Sequence, residues 1–75
     1  MKKLDLHKTK HEDVQHKVIR FIEDNWNSGE VEIITGYSEK MKSLVIEILN
    51  EYKLTYSIGR RYDINNKGYI FAILE

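Results

Sequence analysis

The chain has no cysteine, no proline and only four glycines, and its charges cancel, with 12 Lys and Arg against 12 Asp and Glu. Without cysteine there is no disulfide to staple the fold and no thiolate zinc site. The missing proline, beside many Lys, Ile, Asn and Tyr, is the mark of AT-rich coding sequence and bears on no function. Zero formal charge excludes a globally basic nucleic-acid binder, so any phosphate-binding surface has to be local. The opening Met1-Lys2-Lys3 leads into no apolar run of signal-peptide length, and nothing nears the roughly 20 apolar residues of a membrane span. The expectation is a soluble, intracellular, cytoplasmic protein with no membrane partner, folded as one domain over residues 1–75.

At 75 residues the chain buries only about 60% of its unfolded surface, so its stability margin is thin. Its apolar residues are 41% of the total, too many for a disordered segment. They fall into periodic groups. Lys3 to His7 reads as a short strand, with Leu4 and Leu6 on one side and Asp5 and His7 on the other. Thr9 followed by Glu12 is a capping-box pattern that opens a helix. Val14, Val18, Phe21, Ile22 and Trp26 form its apolar stripe, ended by Asn25 to Gly29. Val31 to Thr35 is a second strand, rich in β-branched residues. Gly36-Tyr37-Ser38 is the turn after it, with Ser38 as N-cap of a second helix. Met41, Leu44, Val45, Ile48, Leu49 and Tyr52 line that helix. Leu54 to about Tyr62 reads as a third strand, bulged or broken at Gly59. Asn65 to Gly68 is a turn cluster, and Tyr69 to Leu74 is a fourth strand, apolar on both faces.

The order β-α-β-α-β-β predicts a two-layer α/β sandwich, a four-stranded mixed sheet with both helices on one face. Its first three strands should be parallel and its last antiparallel. Ligands of such sheets gather at the carboxyl ends of the strands. His7 and the Thr35–Ser38 turn both fall there, and a helix N-terminus with unpaired N–H groups is an anion site. On a strand, Asp5 and His7 share a face with Cα atoms roughly 6.5–7 Å apart. An Asp-oriented imidazole is a common general base near neutral pH. The plainest alternative for the pair is an ordinary exposed strand face.

Leu4-Asp5-Leu6-His7-Lys8, then Thr9 and Glu12 opening a helix, then Ile33-Ile34-Thr35-Gly36-Tyr37-Ser38, and a late Asn66-Lys67-Gly68-Tyr69 strand start resemble the Smr (small MutS-related) domain family in order and spacing. The family carries an LDLHG-like first motif and a TGxG- or HGxG-like second one. The resemblance implies a nucleic-acid-binding sandwich, in several members an endonuclease that nicks DNA or cleaves RNA. Its functional Asp and His fall on Asp5 and His7, and its glycine turn on Thr35 and Gly36. Lys8 and Ser38 stand where the family prefers glycine. The expected partner is RNA or DNA. Its phosphates would be met by Lys8, Lys10, Thr35, Gly36, Tyr37, Ser38, Arg60, Arg61 and Lys67, with Asp5 and His7 catalytic. No cofactor is required; a single Mg²⁺ held by Asp5 and a substrate phosphate is the metal-dependent variant.

Two further patterns carry less. His11-Glu12-Asp13-Val14-Gln15-His16 misses the HExxH zinc spacing by one residue, so His11 and His16 do not share a helix face. Tyr37, Tyr56, Tyr62, Tyr69 and Phe71 promise an aromatic surface on the open sheet face, suited to base stacking or to protein contacts, self-association included. A non-catalytic nucleic-acid-binding or protein-interaction adaptor is the alternative function.

Overall fold

The computed structural model describes residues 2–60, 63 and 65–74. The elements are β1 (Lys2–Asp5), α1 (His11–Asp24), β2 (Gly29–Ile34), α2 (Glu39–Glu51), β3 (Thr55–Ile58) and β4 (Tyr69–Leu74). The strands lie in the order β1-β2-β4-β3. β1 is parallel to β2, while β4 is antiparallel to both β2 and β3. The first three strands therefore share one direction and the last opposes them, as the element order predicts. The crossover through α2 skips one strand position, and β4 returns to fill it.

That central place explains why β4 is apolar on both faces. Ile70, Ala72 and Leu74 are fully buried toward the helices, opposite Ile33, Val31 and Gly29 of β2. The helices close over them with Val14, Val18 and Ile22 from α1 and Met41, Val45, Ile48 and Leu49 from α2. Ser38 caps α2 as its side chain predicts, accepting the Met41 N–H at 3.1 Å. The helix ends in a Schellman motif, with the Leu54 N–H donating to Leu49 O at 3.0 Å and Lys53 left-handed at φ +57°.

Several boundaries differ from the sequence reading. β1 stops at Asp5, so His7 is not on the strand. Leu6 continues the ladder through one bond, its N–H to Ile34 O at 2.8 Å, and is buried. The chain then turns, Leu6 O accepting the Thr9 N–H at 2.9 Å. Thr9 thus closes a turn and caps nothing. The N-cap of α1 is Lys10, without a side-chain cap, so the capping box with Glu12 does not form. β3 is four residues long rather than reaching Tyr62, because Gly59 at φ +115° leaves the strand. Tyr62 lies outside the described residues. Trp26 falls beyond the end of α1 and is 45% exposed, not core. Met41 is core, as expected.

These burials set a direct check. Leu49→Ala should cost about 2–5 kcal/mol, the range for emptying a buried leucine site. Trp26→Ala should stay near about 0.5 kcal/mol, the range for a surface change. Urea unfolding followed by circular dichroism measures both.

Candidate nucleic-acid interface

Because β1, β2 and β3 share a direction, the loops that leave their carboxyl ends lie along one edge of the sheet. The 6–10 turn, the 35–38 turn and the loop from Gly59 to Gly68 are those loops. Register makes the first two neighbours, since Asp5 is opposite Ile34. The third is tied to the second by hydrogen bonds. Gly68 O accepts the N–H groups of Thr35 and Gly36 at 2.9 and 3.0 Å.

Asp5 and His7 meet through the turn and not through a shared strand face. The Asp5 Oδ1 accepts the His7 backbone N–H at 3.0 Å and lies 3.6 Å from His7 Nδ1. One carboxylate oxygen therefore fixes the backbone of His7 and sits beside one nitrogen of its ring. Among the described residues no group hydrogen-bonds the ring, so Nε2 is available. Both side chains are 58% exposed.

Lys8 occupies the third position of the Leu6–Thr9 turn at φ +69°. A positive φ at that position is what type II turns reserve for glycine or asparagine. The backbone thus keeps a glycine-like conformation under a lysine side chain, which is exposed. Lys10 is exposed one turn on, at the start of α1.

The second turn divides into a clamp and a platform. Thr35 is buried, and its hydroxyl donates to Gly36 O at 2.8 Å and reaches Gly68 O at 3.3 Å. Gly36 has φ +68° and open space where a Cβ would stand, so conformation rather than room calls for glycine there. The N–H groups of Thr35 and Gly36 are both spent on Gly68, and those of Met41 and Lys42 on Ser38, which leaves the free donors at Tyr37, Ser38, Glu39 and Lys40. The first turn of α2 carries one acid, Glu39, which pairs with Lys42 at 3.5 Å. The first turn of α1 carries Glu12 and Asp13, which suit its own dipole and repel an anion. Of the two helix starts at this edge, α2 carries the fewer acids in its first turn.

Arg60 is diverted. Its Nε donates to Glu32 Oε2 at 3.1 Å, and its guanidinium lies 4.6 Å from the Tyr69 ring centre. Glu32 is 3% exposed in the middle of the open sheet face, with Lys3 also 3.9 Å away. The Glu32 hydrogen bond first, then its charge, raise the Arg60 pKa above its ordinary value. The sign follows: Arg60 stays charged, and its stabilising pair intact, until pH climbs through that raised value, beyond any working range. Lys67 is exposed in the third loop. Arg61 lies outside the described residues.

The aromatic surface is smaller than expected. Tyr69 and Phe71 are half-buried on the open face, whose centre is the Glu32 ion pair. Tyr56 is opposite Ala72 and packs on the helix side against the core. Tyr37 stands in the turn rather than on the sheet. The sequence reading missed Glu32 and Lys42, a carboxylate and an ammonium buried at positions with no sequence signal for partners.

Asp5 fits a bound Mg²⁺ poorly, because it is one carboxylate with an oxygen already engaged by His7. Among the described residues no three acidic or histidine groups converge on a metal position. His11 lines a cleft of about 220 Å³ between the helices, and His16 lines others beside α1.

The Smr domain model matches residues 4–68, from the first strand through the Gly68 turn. The chain belongs to the Smr family. No curated protein and no solved structure gave a significant match. Smr domains are nucleic-acid-binding, nuclease-like domains. Both motifs of this member lie at the carboxyl edge, in the two adjacent turns after β1 and β2. Among the described residues no helix is long and apolar enough to cross a membrane.

The turn makes a stability prediction. A left-handed backbone costs a residue with a side chain roughly 1–2 kcal/mol, partly offset by the greater freedom of glycine when unfolded. Lys8→Gly should therefore raise stability by up to about 1 kcal/mol, while Ser38→Ala should cost about 1 kcal/mol through the lost cap. The urea midpoint at constant slope reads both.

Proposed function

We propose that this Smr domain binds a nucleic-acid strand along its carboxyl edge and cleaves it with His7 as general base. The observation that carries the reading is the grip of Asp5 Oδ1 on His7, at its backbone N–H and beside Nδ1. That contact favours the tautomer with Nε2 unprotonated, the form that accepts a proton. With RNA, Nε2 takes the proton of the 2′-hydroxyl, whose oxygen attacks phosphorus as the bond to the 5′-oxygen breaks and that oxygen takes a proton from water. The N–H groups of Tyr37, Ser38, Glu39 and Lys40 face the charge that builds on the phosphate oxygens. Lys8, Lys10 and Lys67 add neutralising charge around it. With DNA, water takes the place of the hydroxyl. No step is assigned to a metal.

A binding-only role is the second reading, and one observation favours it. Asp5 and His7 are each more than half exposed, whereas general bases gain most where water is excluded. A binding module would use the same edge and turn nothing over.

Labelled single- and double-stranded RNA and DNA, incubated with and without EDTA, separate the two. If His7 is the base, His7→Ala loses roughly 100- to 10,000-fold in rate, Asp5→Asn loses less, and EDTA changes little. Cleavage by His7→Ala at the parental rate would sink the His7 mechanism. Salt-dependent binding without turnover would establish the adaptor role.

A further inference from the structure

Tyr37 is 74% exposed, the most solvent-facing of the large hydrophobic side chains at the edge. Its ring is nevertheless held. The Lys42 ammonium lies 5.7 Å from the ring centre, within the range of a cation–π contact. Lys42 is itself only 5% exposed, one helical turn into α2, and Glu39 pins its nitrogen at 3.5 Å. One face of the ring therefore rests on a fixed cation and the other is open to solvent. Here a lysine gives up hydration to support an aromatic ring directly before the free N–H groups of the α2 start.

We infer that the open face of the Tyr37 ring is a stacking platform for one unpaired base, so that the bound strand is single-stranded where it crosses the start of α2. The inference rests on the nucleic-acid reading above and names the substrate class within it. The reason is geometric. A phosphate on the α2 N–H groups has its own or the next base within reach of the adjoining ring. A base locked in a duplex turns only its edge to the protein, whereas a free base offers its face. Stacking tolerates any base, since every base has a π-face, so Tyr37 selects strandedness and not sequence.

The test measures binding at fixed low salt of a labelled single-stranded oligonucleotide and of a blunt duplex of the same length. Parent, Tyr37→Phe and Tyr37→Ala are compared, each checked for unchanged thermal unfolding, as the exposure of the ring predicts. Tyr37→Ala should weaken single-strand binding by about 5- to 100-fold, Tyr37→Phe should match the parent, and duplex binding should be weaker and the same in all three. A second arm walks one abasic position along the strand. The parent should lose affinity at one position and Tyr37→Ala at none, a result that a purely structural role of Tyr37 would not produce. Equal single-strand affinity of Tyr37→Ala and parent overturns the inference and leaves the nucleic-acid reading standing. So does an equal loss on duplex and single strand. A folded parent that binds neither form overturns both.

Discussion

The carbonyl oxygen of Gly68 receives the N–H groups of Thr35 and Gly36 and lies within reach of the Thr35 hydroxyl. That one acceptor joins the end of β2 to the start of β4 at the point where the chain must change from strand to helix. With it in place, β4 enters the sheet beside β2 in the register that sets Ile70 beside Ile33 and Ala72 beside Val31, all four buried. The buried clamp also consumes the donors of Thr35 and Gly36, and so decides which N–H groups remain for a ligand. In the proposed function, fold and recognition at this edge share a single set of backbone hydrogen bonds. A change that loosens the Gly68 contact disturbs the sheet and the α2 start together.

The other constraint is handedness. Lys8, Gly36 and Gly59 all take positive φ in the three loops of the carboxyl edge. Each such residue turns the chain sharply after a strand, which lets a loop close in a few residues and keeps its side chains near the edge. Only the first of the three carries a side chain. A lysine that tolerates this backbone costs some stability and adds a cation where glycine would offer only backbone. The lysine is thus compatible with the turn, within which Asp5 Oδ1 accepts the His7 backbone N–H.

Elements with strong periodicity were legible in the sequence. The β-branched run of β2, the Ser38 cap, the stripe of α2 and the doubly apolar β4 all lie as their residue patterns predict, because each pattern is satisfied by local geometry and one packed face. The first motif was harder. Alternation suggested that Asp5 and His7 share a strand, but two-residue periodicity holds only while the ladder lasts. The left-handed Lys8 ends it and uses Thr9 for the turn, so a sound capping box goes unformed. Arg60 and Lys42 were illegible for a different reason. Whether a cation faces solvent or a carboxylate depends on which strands become neighbours, and the β1-β2-β4-β3 order is not written in any short segment.

Zero net charge makes the sorting of charge the deciding matter for a polyanion. The acids are not idle on the far side of the molecule. Glu32 holds Arg60 and Lys3 on the sheet face, and Glu39 holds Lys42 under Tyr37. Two basic residues are thereby turned into supports for aromatic rings, Arg60 for Tyr69 and Lys42 for Tyr37. Among the described residues, the cations without a carboxylate partner at the carboxyl edge are the exposed Lys8, Lys10 and Lys67, beside the unpaired N–H groups that open α2. Such a surface gains little from long-range attraction and much from correct placement, since N–H groups act only within hydrogen-bond distance. A strand bound at this edge as proposed would be held at close range, and the proposed stacking on Tyr37 would select by strandedness.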